Sequence, residues 1–242
     1  MYIDKREEAK INIKILQLVE GAKQAKGLTV IIDVFRAFSM EAYLFSKGVE
    51  KIIPIGDVSL AYKLKEENPE MLLAGERGGK ILPGFDMGNS PAEILSMDVL
   101  GKTVIHTTSA GTQGIANAVD ADEIVGGSLL TAKAIAKYIK AKNPEDVSLV
   151  CMGYAGAYET EEDTLCAEYI KSILEEKSFD MEQGIEMLKR TSGAKFFDPN
   201  QNDVFPEKDF GLCTQVDCFD FVLRLSDSGS LPYMEKILVK LF

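Results

Sequence analysis

Histidine is almost missing from this chain of 242 residues, with His106 the only one. Reaction classes that need imidazole as base, nucleophile or paired metal ligand are thereby closed off, histidine phosphatases and multi-histidine zinc sites among them. A Ser-His-Asp triad would have to be built around His106. That residue sits in the apolar run Thr103-Val-Ile-His-Thr-Thr108 and reads as a strand-end histidine held by packing. Cysteine is scarce as well. The four cysteines include no Cys-x-x-Cys pair, which argues against a thiolate zinc site or a disulfide framework and for reduced thiols in a cytoplasmic setting. Long apolar runs are absent. The longest, 28–34 and 147–152, are strand-sized and far short of the roughly 20 residues that span a bilayer. The N-terminal stretch from Met1 to Glu8 is charged where a signal peptide would turn apolar. Positive charge is in deficit: 27 Lys and Arg against 38 Asp and Glu leave a net charge of -11, so neither nucleic acid nor an anionic membrane surface is an expected partner. An anionic ligand must be met by a local cluster. The chemistry left to the chain is that of carboxylates, arginines, hydroxyls and a hard metal ion.

Apolar residues make up 46% of the sequence, enough for a buried core in one large domain. Short β-branched runs at 11–16, 28–34, 51–55, 71–74, 103–107, 123–125, 147–152 and 219–223 alternate with helical periods at 38–47, 58–67, 112–118, 130–142, 164–176 and 181–189. No linker, repeat or low-complexity tract interrupts them. The pattern predicts an α/β fold over residues 1–242, a single-domain three-layer α/β/α sandwich whose mostly parallel or mixed sheet has about eight strands. The polar segment 193–209 reads as a surface loop able to close over a site.

In open α/β sheets ligands sit beyond the carboxyl ends of the strands, and there this chain carries glycine, hydroxyls and charge. Asp33-Val-Phe-Arg36 places a metal-seeking carboxylate and an anion-seeking guanidinium at one strand end, unless the two simply pair with each other inside the fold. Gly75-Glu-Arg-Gly-Gly79 sets Glu76 and Arg77 among glycines. In Gly84-Phe-Asp-Met-Gly-Asn-Ser-Pro91, Ser90 fits a helix N-cap with Pro91 following and Glu93 closing a capping box. Capping leaves Asp86 and Asn89 unexplained, and a helix start is a ready anion site. Thr107-Thr-Ser-Ala-Gly-Thr112 joins strand to helix with four hydroxyls, those of Thr107, Thr108, Ser109 and Thr112. Together with the flexible Gly111 and with Ser128 of Gly126-Gly-Ser128 they suit phosphate or sulfonate oxygens. No Walker loop or Gly-x-Gly-x-x-Gly fingerprint is present. Thr160 and Asp163 have capping-box spacing at the head of a helix, and Glu162 with Asp163 could instead supply Mg2+ ligands or a base. Cys218 and Arg224 have the Cys-x5-Arg spacing of a phosphatase loop, but Phe, Val and Leu between them read as a buried strand.

Taken in order, Asp33-Val-Phe-Arg-Ala37, Gly75-Glu-Arg77, Gly84-Phe-Asp-Met-Gly-Asn-Ser-Pro91, Thr107-Thr-Ser-Ala-Gly-Thr112, Gly126-Gly-Ser128 and Glu162-Asp-Thr-Leu-Cys-Ala167 resemble the 2-phosphosulfolactate phosphatase family over nearly the whole chain. The resemblance implies an α/β/α fold of its own type and Mg2+-dependent hydrolysis of (2R)-2-phospho-3-sulfolactate to 3-sulfolactate and phosphate, a step toward coenzyme M. Asp33, Glu162 and Asp163 are then expected to hold Mg2+, Arg36 and Arg77 to clamp anionic groups, and Glu76 or Asp86 to carry a proton. The loop from Thr107 to Thr112, with Asn89, Ser90 and Ser128, would bind substrate oxygens. Direct attack by water and a phosphoenzyme both remain open. So do another phosphorylated 2-hydroxy acid as substrate, a non-catalytic anion sensor on the same scaffold, and a homodimer.

Overall fold

A computed structural model of the chain describes residues 11–239, so the charged N-terminal stretch lies outside the described residues. Among the described residues ten strands form one mixed sheet. In chain order they are β1 (Asn12–Gln17), β2 (Gly27–Ile32), β3 (Lys51–Pro54), β4 (Leu72–Arg77), β5 (Lys80–Ile81), β6 (Thr103–Thr107), β7 (Ala121–Gly127), β8 (Asp146–Cys151), β9 (Phe221–Ser226) and β10 (Tyr233–Leu238). Their spatial order is β1-β8-β2-β7-β9-β10-β3-β6-β4-β5. The two strands beyond the expected number are the short edge β5 and the C-terminal β10, whose hairpin partner β9 starts at Phe221 rather than 219. Cys218 is exposed in the turn before β9, and Arg224 within it pairs with Glu235, so the Cys-x5-Arg spacing builds no loop around an anion.

Helices cover both faces, as the alternation of side chains requires. The helices are α1 (Leu18–Gln24), α2 (Ala37–Ser46), α3 (Val58–Glu67), α4 (Pro91–Ile94), α5 (Gly111–Asn117), α6 (Ala132–Lys142), α7 (Glu161–Leu174), α8 (Met181–Leu188) and α9 (Glu207–Cys213). Along β2, Val30 and Ile32 pack with α6 and α7, whereas Ile31 between them joins the core around α2. Along β6, Val104 and Ile105 divide in the same way, with Ile105 packing toward α3.

Helix α2 is buried over nine of its ten residues, Ala37 through Phe45, because its sequence is apolar nearly all round. Such a helix needs cover on every side, and the course of the sheet supplies it. The parallel block β1-β8-β2-β7 is joined to the parallel block β3-β6-β4 through three successive antiparallel pairings, β7 with β9, β9 with β10, and β10 with β3. In a flat sheet the two blocks would present their carboxyl ends at opposite edges. Strand twist of about 20–25° per step, accumulated across the five steps from β2 to β6, rotates the second block by roughly 100–125° and swings its carboxyl end toward that of the first. The Gly111 N–H, at the start of α5 just after β6, consequently reaches the Asp33 carboxylate just after β2, at 2.9 Å.

The glycines of Gly126-Gly127 have a packing reason. A Cβ on Gly126 would lie 2.5 Å from the ring of Phe38 in α2, and one on Gly127 would lie 2.7 Å from Val30. Phe38 is fully enclosed and has no room to swing away. Gly126→Ala is therefore expected to destabilise the protein by roughly 1–3 kcal/mol through overpacking. A urea titration of the variant against the parent checks this, and an unchanged midpoint would show that the core is looser than these contacts require.

Candidate active site

The carboxyl ends of the two blocks meet in a narrow cleft of about 50 Å³. Asp33 and Arg36 come to it from the turn after β2, Glu76 and Gly79 from the β4–β5 hairpin, Asn89 from the approach to α4, Ser109 from the turn after β6, Glu162 from the first turn of α7, and Lys195 and Phe205 from the segment 193–209. That segment is not a simple surface loop. It holds a short 3-10 turn, Ala194–Phe197, and its Phe196 packs with Phe210 of α9 and Leu165 of α7. It roofs the cleft as part of the fold.

Two of the cleft's carboxylates are built into the backbone. Asp33 accepts the N–H of Ala37 at 3.4 Å and of Gly111 at 2.9 Å, which ties α2 and α5 to one side chain. Glu76 accepts the N–H of Gly79 at 2.7 Å and of Ser109 at 2.8 Å, which ties the β4–β5 hairpin to the turn after β6. Behind them Asp163 accepts the N–H of Val34 and of Gly153, each at 2.8 Å, clamping the end of β2 to the end of β8. Asp163 does not line the cleft, and the expected capping box with Thr160 is not made. Glu162 does line it, and its Oε2 is buried without a hydrogen-bond partner.

So many acids in so little water raise one another's pKa. Burial, then the charge of Glu76, pushes the Asp33 carboxyl up to about 7. Burial pushes Glu162 upward, and burial followed by the charges of Glu162 and Asp33 does the same to Asp163.

Arg36 is paired, though not with Asp33. Its Nη1 donates to Asp209 Oδ2 at 2.9 Å and to the Val204 carbonyl at 3.0 Å, its Nη2 donates to the Gly79 carbonyl at 3.2 Å, and the guanidinium lies over the Phe205 ring. Asp209 accepts in turn from Ser90 Oγ at 2.8 Å and from the Ala92 N–H at 2.9 Å. Ser90 caps α4 as its sequence predicts. The Glu93 carboxylate takes the Gly88 N–H rather than closing the box on Ser90.

Several candidates fall outside the cleft. Strand alternation turns Arg77 away from Glu76, and it donates to Thr107 Oγ1 at 2.9 Å and to the Gly56 carbonyl at 3.4 Å. Asp86 accepts from Leu73 N and Lys65 Nζ at the far end of β4. Thr108 and Thr112 bond each other and their own backbone at the start of α5, so of the four hydroxyl residues only Ser109 borders the cleft. Ser128 Oγ is buried and unpartnered, away from the cleft lining. His106 is fully enclosed, its Nδ1 2.7 Å from Glu41 Oε1 and its Nε2 3.1 Å from Asn89 Oδ1. Sequence reasoning missed Glu41 because it sits mid-helix in α2, and Lys195 because its weakly patterned segment hides which side chains turn inward.

The family model for 2-phosphosulpholactate phosphatase matches residues 13–228. This chain belongs to that family. It is similar to the protein named "Probable 2-phosphosulfolactate phosphatase" of Bacillus subtilis (strain 168), with 31% identity over 88% of this chain and 92% of the relative. A protein of the same name from Caldanaerobacter subterraneus subsp. tengcongensis is 32% identical over 82% of this chain and 87% of its own length. A third, from Caldicellulosiruptor saccharolyticus, is 40% identical over 60% of this chain and 61% of the relative. Among the described residues no helix is long and apolar enough to cross a membrane.

Two predictions follow from the acid cluster and the Arg36 pair. Because Asp33 titrates higher in the fold than the usual carboxylate range, the folded state binds the extra proton between about pH 4 and 7. Its contribution to stability is full below that window and is lost as pH rises through it. In the presence of EDTA the melting temperature should fall from pH 5 to pH 8, and Asp33→Asn should flatten the slope; an equal slope in both proteins would remove Asp33 as its source. Asp209→Ala strands the buried Arg36 charge and should cost about 3–5 kcal/mol in a denaturant titration, whereas a loss under 1 kcal/mol would mean that water reaches Arg36.

Proposed function

We propose that this chain is a Mg2+-dependent phosphatase that hydrolyses (2R)-2-phospho-3-sulfolactate to 3-sulfolactate and phosphate. The observation that carries the reading is the buried, unpartnered Glu162 Oε2 at the wall of a cleft that also contains Asp33. Three carboxylates, Asp33, Glu76 and Glu162, line the cleft against two cations, Arg36 and Lys195. A substrate bearing phosphate, sulfonate and carboxylate cannot enter such a place without added positive charge. Hard oxygen donors select a hard ion, and the absence of any histidine from the lining is consistent with Mg2+ rather than zinc. Among the described residues no three metal-ligating side chains converge by themselves. Mg2+ commonly uses one or two carboxylates and completes its shell with water and substrate phosphate, which suits Asp33 and Glu162 as the holding pair.

When bound, Mg2+ would neutralise the phosphoryl oxygens and stabilise the charge that develops as the ester bond breaks. The chain's own residues do the rest. Asp33 and Glu76, anchored to backbone N–H groups, keep the turns around Gly79, Ser109 and Gly111 in place without reorganisation during reaction. Ser109 and Asn89 present polar atoms to the bound anion from opposite turns. Arg36 keeps its Nε–H and one Nη2–H unused by the fold and faces the same space. In the net reaction the phosphorus–oxygen bond to the hydroxy acid breaks, a water oxygen takes its place, and a water proton ends on the released hydroxyl.

Phosphate release from 2-phosphosulfolactate should appear with Mg2+, vanish in EDTA and return when the ion is restored. Asp33→Asn should lower kcat by about a hundredfold or more while the variant stays folded. Full turnover after EDTA and exhaustive dialysis would defeat the metal reading. Turnover of other phosphorylated hydroxy acids, but not of this one, would defeat the substrate.

A further inference from the structure

Lys195 is the cleft cation whose N–H donors are not engaged by the fold, although its charge acts on the nearby Glu162 carboxylate. Its Nζ sits 5.8 Å from the ring centre of Phe35, 5.6 Å from those of Tyr154 and Phe196, and 5.2 Å from that of Phe205. Among the described residues it has no hydrogen bond and no carboxylate within ion-pair distance, although Glu162 and Asp33 line the same cleft. Arg36, in contrast, gives three N–H groups to Asp209, Val204 and Gly79, and Arg77 is turned out of the cleft. Aromatic faces attract an ammonium and shield it from water, but they satisfy none of its three N–H donors. An ammonium kept in such a cage with free donors is suited to meet an anion delivered from outside.

We infer that Lys195 binds the second anionic group of the substrate, the sulfonate or carboxylate on the carbon skeleton, and so discriminates multiply charged phosphorylated acids from simple phosphomonoesters. The inference rests on the phosphatase reading above. The phosphoryl group goes to the side where Asp33 and Glu162 would hold Mg2+, and the rest of the molecule extends beneath the roof formed by the segment 193–209. That roof is anchored from below, because Val204 and Asp209 hold Arg36. Lys195 is a binding and specificity residue and takes no part in bond breaking.

The test uses the whole chain with Mg2+, and three proteins: the parent, Lys195→Met and Lys195→Arg. Calorimetric titration with 3-sulfolactate reads binding without turnover. The expected result is a Kd at least tenfold weaker in Lys195→Met, equivalent to about 1.4 kcal/mol, and largely recovered in Lys195→Arg. In parallel, the ratio of kcat/KM for 2-phosphosulfolactate over that for a phosphomonoester with a neutral organic group should fall at least tenfold in Lys195→Met. Titration with lactate assigns the partner: weakening for lactate as well as sulfolactate means the carboxylate, and weakening for sulfolactate alone means the sulfonate. Unchanged sulfolactate affinity and an unchanged ratio in Lys195→Met overturn the inference, as does an equal loss on both esters. If the parent binds no sulfolactate, the substrate reading falls by itself. Lys195 is then judged by the same ratio measured with whichever phosphorylated hydroxy acid the parent hydrolyses best.

Discussion

Buried carboxylates that accept backbone N–H groups across strand ends are the interaction on which this site depends. Asp163 joins the ends of β2 and β8, Asp33 joins β2 to the start of α5, and Glu76 joins the β4–β5 hairpin to the turn after β6. A charged acceptor makes stronger and shorter bonds than a carbonyl, and it can serve two donors from unrelated segments at once. Turns that would be mobile in isolation are thereby held as one wall. The same arrangement accumulates negative charge in a place poor in water, which is unfavourable unless protons or a cation compensate it. Structural role and functional demand arise from one feature. The acids that shape the cleft also concentrate its negative charge.

The sheet makes this convergence geometrically available. Two parallel blocks of opposite direction are joined by the β9–β10 hairpin, and only coiling of the sheet brings their carboxyl ends together. Helix α2 packs against both blocks, and its enclosed aromatic and aliphatic side chains give them a common core. Phe38 against Gly126 shows how closely that core constrains the strand beside the site. Strand-end ligand sites in simpler open sheets use one edge; here two edges contribute, from blocks far apart in strand order.

Arg36 and Lys195 show two different uses of a cation in one cleft. Arg36 is a planar fork with many donors, and most of them join the roof segment to the β4–β5 hairpin. Lys195 is a point charge on a flexible stem, placed among rings that hold it without consuming its donors. The guanidinium thus organises the walls, and the ammonium remains available.

Much of this was legible in the sequence. Eight strands and six helices follow from hydrophobic period alone, the N-cap at Ser90 follows from local capping chemistry, and the single His106 limits the possible reactions without any coordinates. The motif order carries the family, whereas the separation of Arg77 from Glu76 follows only from the extension of β4 to Arg77. Tertiary structure decided the rest. Asp209 as the partner of Arg36, Glu41 as the partner of His106, Asp163 as a backbone clamp and Lys195 as a cleft cation all depend on contacts between segments remote in the chain. Local pattern determines which face of an element a side chain occupies. What lies opposite that face depends on a hairpin inserted at the centre of the sheet and on the twist that brings its two ends round, and neither is encoded within any single window of sequence.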